Sequence, residues 1–233
     1  AIQPESGLPT ITNSVTIDGN TQSDDYCQPG IELDGSLAGT SHGLLIETTN
    51  CLIRGLVINR FSMSGISISS GGHHTVAGCY IGTDRHGTNG LGNGGDGINI
   101  DSSADNRIGL LPTSSCSNRN VISGNDSFGV RIFETGSVRN VLINNYIGTD
   151  VSGSNAIPNN YGVYIYSQAS YNTVGTNGAA KPVNLISGND IAGVYLLSRA
   201  GHNEVLGNYI GTTAGGDAAL HNGYRGVWID NSG

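Results

Sequence analysis

The stretch Asn140–Ile165, NVLINNYIGTDVSGSNAIPNNYGVYI, recurs in outline twice more along this chain of 233 residues. The other copies are Val76–Ile100 (VAGCYIGTDRHGTNGLGNGGDGINI) and Asn203–Ile229 (NEVLGNYIGTTAGGDAALHNGYRGVWI). A second phrase lies between the copies, as NVISGNDSFGVRI at Asn120–Ile132 and NLISGNDIAGVYL at Asn184–Leu196. Self-similarity at a fixed period is the signature of repeat architectures. We therefore expect a stack of similar units.

The length of one unit follows from a short signature: Gly, then Val or Ile, then any residue, then Ile or Leu. Successive glycines of this signature are 31 to 33 residues apart, and they are Gly65, Gly97, Gly129, Gly162, Gly193 and Gly226. Each unit holds two further short apolar stretches, and three short alternating strands are what one turn of a three-sheet coil requires. The sequence thus predicts an all-β solenoid, a parallel β-helix of three short parallel sheets with about six to seven coils of about 32 residues.

Two columns of polar residues are predicted at the corners of the coils. The first column is His74, Asn106, Asn140, Asn172 and Asn203, and the second is Cys79, Asn120, Asn145, Asn184 and Asn208. Strands of successive coils lie about 4.8 Å apart, so equivalent residues stack into ladders. Buried asparagines can pass amide hydrogen bonds along such a stack and satisfy polar groups that are costly to bury unpaired.

The chain divides at the point where the period begins. Residues 1–42 are expected to hold two short strands, Val15–Ile17 and Ile31–Leu33, and a polar covering loop at Thr21–Pro29. Residues 43–233 are the β-helix repeats, which we expect to continue past residue 233 in a longer parent chain. Long loops of one type should lie two coils apart, about 9.6 Å, and stack on each other.

Composition narrows the class of protein. Only 12% of residues are charged, the net charge is −8 and Lys181 is the single lysine, so no basic footprint for nucleic acid is present. No apolar run reaches 18 residues, so no membrane span is predicted. Four cysteines and scarce lysine favour an extracellular or cell-surface location. No cofactor or metal site is predicted.

The four cysteines suggest structural cross-links. Cys79 belongs to the second corner column, and Cys116 lies four residues before Asn120, which stacks on Cys79. A Cys79–Cys116 disulfide is therefore geometrically sensible, and it leaves Cys27 and Cys51 to pin the covering loop. Three pairings are possible in principle, and free buried thiols are the alternative.

The repeats resemble those of a known fold. With its NVISGN…GV.I and NYIGTD..G phrases the chain resembles a right-handed parallel β-helix of the pectate-lyase-like superfold. More closely it resembles uncharacterised surface and secreted β-helix proteins of bacteria and archaea that carry such repeats. The right hand is implied by this resemblance and by the general bias of parallel crossovers.

The resemblance also implies an enzymatic alternative, since the best-known members of the superfold cleave acidic polysaccharides. The polygalacturonase pattern is incomplete here, because Asp24-Asp25 and Ser41-His42-Gly43 lack the Asn-Thr-Asp and Arg-x-Lys elements. The recurrent carboxylates Asp84 and Asp150 are two coils apart, too far to share a calcium ion whose ligand distances are about 2.3–2.6 Å. We expect each to cap its own loop.

One surface is unusual for this composition. In the signature the two apolar residues point inward, so the intervening residue points outward, and from the fourth coil onward these outward positions become aromatic. The predicted binding face consists of Phe128, Arg131, Phe133, Tyr161, Tyr164, Tyr166, Tyr195 and Trp228. A contiguous exposed apolar surface marks an interaction site, although ordinary cross-strand pairing of aromatic residues is the structural alternative.

These features favour a non-catalytic extracellular or cell-surface module with a structural or adhesive role. Its expected partners are a surface glycan or like subunits, and open coil ends could allow assembly into filaments, end to end or laterally. The alternative is a polysaccharide-active lyase or glycoside hydrolase, or a glycan-binding module.

Overall fold

The computed structural model describes residues 1–22, 28–113, 118–177 and 184–230. These residues form a right-handed parallel β-helix, and each coil contributes one strand to each of three parallel sheets. Seven coils stack in this way, as the period predicts. The helical segments of the described residues are two short 3₁₀ turns, at Gly19–Gln22 and Gly35–Leu37. No helix in these ranges is long and apolar enough to cross a bilayer.

Sheet 1 holds the first strand of every coil. Its strands are β1 Thr16–Asp18, β4 Leu52–Arg54, β7 Thr75–Ala77, β10 Arg107–Ile108, β13 Val141–Leu142, β16 Thr173–Gly175 and β19 Glu204–Leu206. Sheet 2 holds the second strand of every coil. Its strands are β2 Ile31–Asp34, β5 Leu56–Asn59, β8 Tyr80–Ile81, β11 Asn120–Ile122, β14 Asn145–Ile147, β17 Asn184–Ile186 and β20 Tyr209–Ile210.

Sheet 3 holds the glycine signature of every coil. Its strands are β3 Leu44–Thr49, β6 Ile66–Gly72, β9 Ile98–Asp101, β12 Phe128–Phe133, β15 Tyr161–Tyr166, β18 Ala192–Leu197 and β21 Arg225–Asp230. The signature glycine is required by close approach. A Cβ at Gly129 would lie 2.6 Å from the carbonyl oxygen of Gly162 and 2.6 Å from Cγ2 of Ile147.

The core is a set of apolar columns inside the coil. Val130 pairs in register with Ile98 on one side and Val163 on the other, and all three are fully buried. Burying one such side chain stabilises the fold by about 1.5–3 kcal/mol as an upper estimate. The register that the period predicts is therefore also the register that builds the core.

The coil begins earlier than the expected boundary at residue 43. β1 pairs with β4 and β2 pairs with β5, so the first two strands are already part of the stack. The glycine signature starts only at Gly43, which is why the period does not detect them. The preceding segment lies along the free edges: Ile2 exchanges backbone hydrogen bonds with β2, and Ile11 with β3.

Both predicted corner ladders are present. In the first, Oδ1 of Asn140 accepts from the backbone N–H of Asn106 (3.0 Å) and from its Nδ2 (2.8 Å). Nδ2 of Asn140 donates in turn to Oδ1 of Asn172 and to the Ser103 carbonyl. The second ladder repeats this pattern through Asn120, Asn145, Asn184 and Asn208.

A third ladder was not predicted. It joins Asn93, Asn125, Asn159, Asn189 and Asn222 through Nδ2–H···Oδ1 bonds of 2.9 to 3.1 Å, at the corner between sheets 2 and 3. The ladder begins where the backbone N–H of Phe61 donates to Oδ1 of Asn93. In four of the five cases the asparagine lies four residues before the signature glycine. Asn159 lies three before Gly162, and this irregularity conceals the column.

The long loops after β8, β14 and β20 stack as expected. The Val151 N–H donates to the Gly87 carbonyl (2.8 Å), and the Ala214 N–H donates to the Gly153 carbonyl (3.0 Å). Each loop folds back over the outward tyrosine of its own coil. Gly153, at φ +69°, lies so close to the ring of Tyr146 that a Cβ there would be 2.8 Å from it. This packing explains the glycine that follows NYIGTD in the repeat.

We expect Asn140→Ala to destabilise the fold by about 3 kcal/mol. The substitution leaves the buried Asn106 N–H without an acceptor and the Ser103 carbonyl without a donor. Chemical denaturation measures the free energy of unfolding. Asn13→Ala is the matched control, because Asn13 is exposed, and its midpoint should match the wild type. Equal midpoints for both variants would contradict the role given to the ladder.

Candidate functional site

The outward face of sheet 3 carries most of the aromatic residues of the chain. Register places them in columns across β12, β15, β18 and β21, for instance Tyr164 beside Tyr195 and Tyr195 beside Trp228. Eight of the fourteen Phe, Tyr and Trp residues lie here: Phe128, Phe133, Tyr161, Tyr164, Tyr166, Tyr195, Tyr224 and Trp228. We call this set, together with Arg131, the aromatic face.

The rings of the aromatic face pack on one another. Tyr164 is central, with ring centroids 4.5 Å from Phe128, 4.7 Å from Tyr166 and 5.2 Å from Tyr195. The column continues from Tyr195 to Trp228 at 4.4 Å. Ring faces that touch in this way are not available to a ligand. The surface therefore offers ring edges, phenol hydroxyls and the outer faces of rings at the margin.

Packing raises the pKa of the central residue, Tyr164. Burial, and then the neighbouring Tyr195, Tyr166 and Tyr161, raise the pKa of Tyr164 to about 12. Burial also raises the pKa of Tyr195. Both shifts favour the neutral phenol, so the face keeps its hydroxyl donors across the physiological range.

A polar margin borders the aromatic face toward the N-terminal coils. Nε of Arg131 lies 2.9 Å from Oδ2 of Asp96 and 3.0 Å from Oδ1 of Asn99, whose Nδ2 donates to Ser67 Oγ. The Arg131 guanidinium also lies 4.7 Å from the ring centroid of Phe133. Its terminal nitrogens have no hydrogen-bond partner among the described residues. Arg131 is thus held through Nε with its outer edge unpaired.

Asp96 is the buried carboxylate of this margin, and its pKa is shifted. It is 3% exposed, and burial raises its pKa, although the Arg131 guanidinium and the Phe128 N–H oppose that effect. His42 lies in the same column, and its Nδ1 accepts from the Ser64 N–H (3.2 Å). Burial lowers the pKa of His42, so its ring is neutral at pH 7.

The structure places all eight predicted binding residues on one sheet face, but their binding role stays a prediction. The sequence did not point to Asp96 as part of this margin, and it offered His42 only within the incomplete polygalacturonase pattern. A signal was available: one period before Phe128 falls Asp96, and one period before Arg131 falls Asn99. Tyr224, whose ring meets that of Trp228 edge-on at 5.8 Å, belongs to the aromatic face but not to the predicted set.

The recurrent carboxylates of the loops cap turns. Asp150 accepts from the Ser152 hydroxyl, the Ser154 N–H and the Asn155 side-chain amide. Asp84 accepts from the N–H and the hydroxyl of Thr88 and from the Asn89 side-chain amide. Burial would raise the pKa of Asp150, but these hydrogen bonds outweigh it and the pKa is lowered. Within the described ranges no three His, Cys, Asp or Glu side chains are grouped as metal ligands.

Cys51 and Cys79 are buried thiols in the structure. Burial raises the pKa of Cys79 to about 12, so this thiol is unreactive. Cys27 and Cys116 lie outside the described residues, and both disulfides stay predictions. Asp24 and Asp25 also lie outside the described residues.

Comparisons of the chain with family models, with curated proteins and with solved structures found no match. The class of protein is therefore defined by its own architecture, a three-sheet parallel β-helix with an aromatic outer face.

We expect Tyr164 to ionise near pH 12. A pH titration of phenolate absorbance in the wild type and in Tyr164→Phe measures this, and the variant should lack the step near pH 12. Because the raised pKa favours the protonated folded state, stability should fall as pH rises above about 10. Tyr171, which is 58% exposed, provides the control through Tyr171→Phe. Loss of the step near pH 12 in Tyr171→Phe instead would contradict the assignment.

Proposed function

We propose that this chain is a non-catalytic, extracellular or cell-surface module of the pectate-lyase-like superfold that binds a glycan through the aromatic face. The observation that carries the proposal is the contiguity of eight aromatic side chains on one outward sheet face, in a chain with only 6% aromatic residues. Tyr and Trp combine an apolar ring with a polar handle. A sugar has the same combination of apolar C–H surface and hydroxyl groups.

The polar margin supports a glycan over a purely apolar partner. The unpaired edge of Arg131 can donate to hydroxyl or ring oxygens of a sugar that contacts the rings beside it. Small-molecule sites join aromatic surface to a few placed polar groups in this way. Four cysteines and a single lysine are consistent with an extracellular setting.

The N-terminal end of the stack argues against end-to-end assembly of identical copies as the main role. The edges of β2 and β3 already exchange backbone hydrogen bonds with Ile2 and Ile11. An incoming strand would have to displace both segments. Lateral association through the aromatic face remains as the competing use of the same surface.

Trp228 is the only tryptophan of the chain and lies on the aromatic face, so it reports ligand binding directly. Titration with neutral and uronic-acid oligosaccharides should change its fluorescence. Tyr166→Ala should weaken binding about tenfold, the effect of roughly 1.4 kcal/mol for one lost ring contact. Tyr171→Ala, on a different corner, should bind like the wild type. A face that takes no sugar but mediates concentration-dependent dimers in sedimentation would replace the glycan by a second copy.

A second candidate function rests on Asp96. A buried carboxyl with a raised pKa next to a cation is the environment of a general acid, so a polysaccharide-active enzyme has one specific observation in its favour. Against it, Asp96 is 3% exposed and engaged by Arg131, so its oxygens do not reach a ligand on the face.

We therefore expect no turnover of polysaccharides, assayed by new reducing ends and by unsaturated products. The binding variants should leave both signals at background. Turnover that disappears in Asp96→Asn but persists in Asp150→Asn would instead assign an enzyme with Asp96 as its acid.

A further inference from the structure

His74 occupies a position that the other coils fill with asparagine. It stands in the first ladder between Cys51 and Asn106, and it is fully buried. Its Nδ1 accepts from the Cys51 N–H (3.1 Å), in place of the Oδ1 of an asparagine. The backbone N–H of His74 donates to Oδ1 of Asn106 (3.0 Å). The ring therefore joins the second coil, β4 to β6, to the third coil, β7 to β9.

The hydrogen-bond pattern requires a neutral ring. Because Nδ1 is an acceptor, the proton of neutral His74 is on Nε2, and Nε2 is buried without a hydrogen-bond partner among the described residues. A second proton would have to go on Nδ1, where it would face the Cys51 N–H. Protonation thus breaks the hydrogen bond from the Cys51 N–H to Nδ1 and leaves two N–H groups facing each other. It also places a positive charge in the coil interior.

The surroundings oppose the charge as well. Burial lowers the pKa of His74, while the backbone carbonyls of Thr48 and Ser70 favour the charged form less strongly. The neighbouring His73 acts in the same direction as burial. The other charged groups of this corner are Asp105 and Arg139, which pair with each other at 2.7 Å.

We propose that His74 is a pH-sensitive joint, which strengthens the attachment of the first two coils to the stack while its ring is neutral and weakens it when the ring is protonated. The later coils have Asn106, Asn140 and Asn172 at this corner, and amides do not titrate. Mild acid should therefore make the N-terminal coils open more often and leave the opening of the aromatic-face coils unchanged. The joint is independent of what the aromatic face binds.

The sign of the effect follows from linkage. A histidine with a lowered pKa in the folded state binds fewer protons folded than unfolded. Its contribution is complete above the unfolded pKa of about 6.5 and is lost as pH falls below it. The equilibrium constant for opening should rise by up to tenfold per pH unit in that range.

Hydrogen exchange followed by mass spectrometry between pH 7.5 and 5.5 tests the joint. After correction for intrinsic rates, protection of residues 44–54 should fall with acid, while protection of residues 140–147 stays constant. His74→Asn should abolish the fall, because an asparagine there can also donate Nδ2–H to Asn106 as the later rungs do. His86→Asn, at an exposed position, should behave like the wild type. His42→Asn separates the contribution of His42, a half-buried histidine whose pKa is also lowered by burial.

Equal loss of protection in the wild type and in His74→Asn, or no loss in either, would overturn the proposal. Should His74→Asn not fold, NMR titration of the wild-type ring decides the matter. A His74 that titrates below 6.5 from the Nε2–H tautomer supports the joint. A His74 that titrates at or above 6.5 refutes it.

Discussion

The buried corner amide is the interaction on which this structure depends. At a corner the chain leaves one sheet before it enters the next, so its N–H groups cannot all be satisfied by sheet pairing. An asparagine meets this need twice, since Oδ1 of Asn184 accepts from both the backbone N–H and the side-chain amide of Asn145, and the amide of Asn184 donates onward to Asn208. An unsatisfied buried amide would cost about 1–3 kcal/mol at every corner. Three such ladders fix the coil register, and the apolar columns follow from that register.

The sequence predicts the fold well because the period carries most of the information. The signature glycines set the unit length, and alternation of Val130 and Ile132 with Arg131 sets which side chains point inward. The third ladder was missed because Asn159 is displaced by one residue from its expected place. The first two strands were placed outside the stack because no glycine signature precedes Gly43. In both cases the folded coil accommodates a local irregularity in spacing, whereas a search for a strict period misses it.

The candidate site was predictable in composition and less so in chemistry. Outward positions follow from strand alternation, so the aromatic residues could be assigned to one face. The meeting of Asp96 with Arg131 depends on a long side chain that reaches across to the previous coil, where register alone puts Asn99 opposite it. The pairing of Arg131 with Asp96 depends on the length of the arginine side chain and on the burial of the carboxylate, and the repeat pattern contains neither. Ring packing around Tyr164 is also a three-dimensional property, and it decides that edges and hydroxyls are what the surface presents.

The three ladders share one direction. In each, the rung nearer the N terminus donates and the next rung accepts, from Asn106 to Asn140 and from Asn93 to Asn125. At their N-terminal ends they begin on Cys51, Cys79 and Phe61, whose side chains are not amides. The stack therefore has a direction, in which the side-chain donors of each coil face the next coil toward the C terminus. One end is closed by side chains that cannot extend the pattern, and the other accepts only a coil that brings an acceptor to all three corners. A duplicated coil therefore preserves the ladders only if its corner residues accept from the coil before it and donate to the coil after it, as Asn140 does.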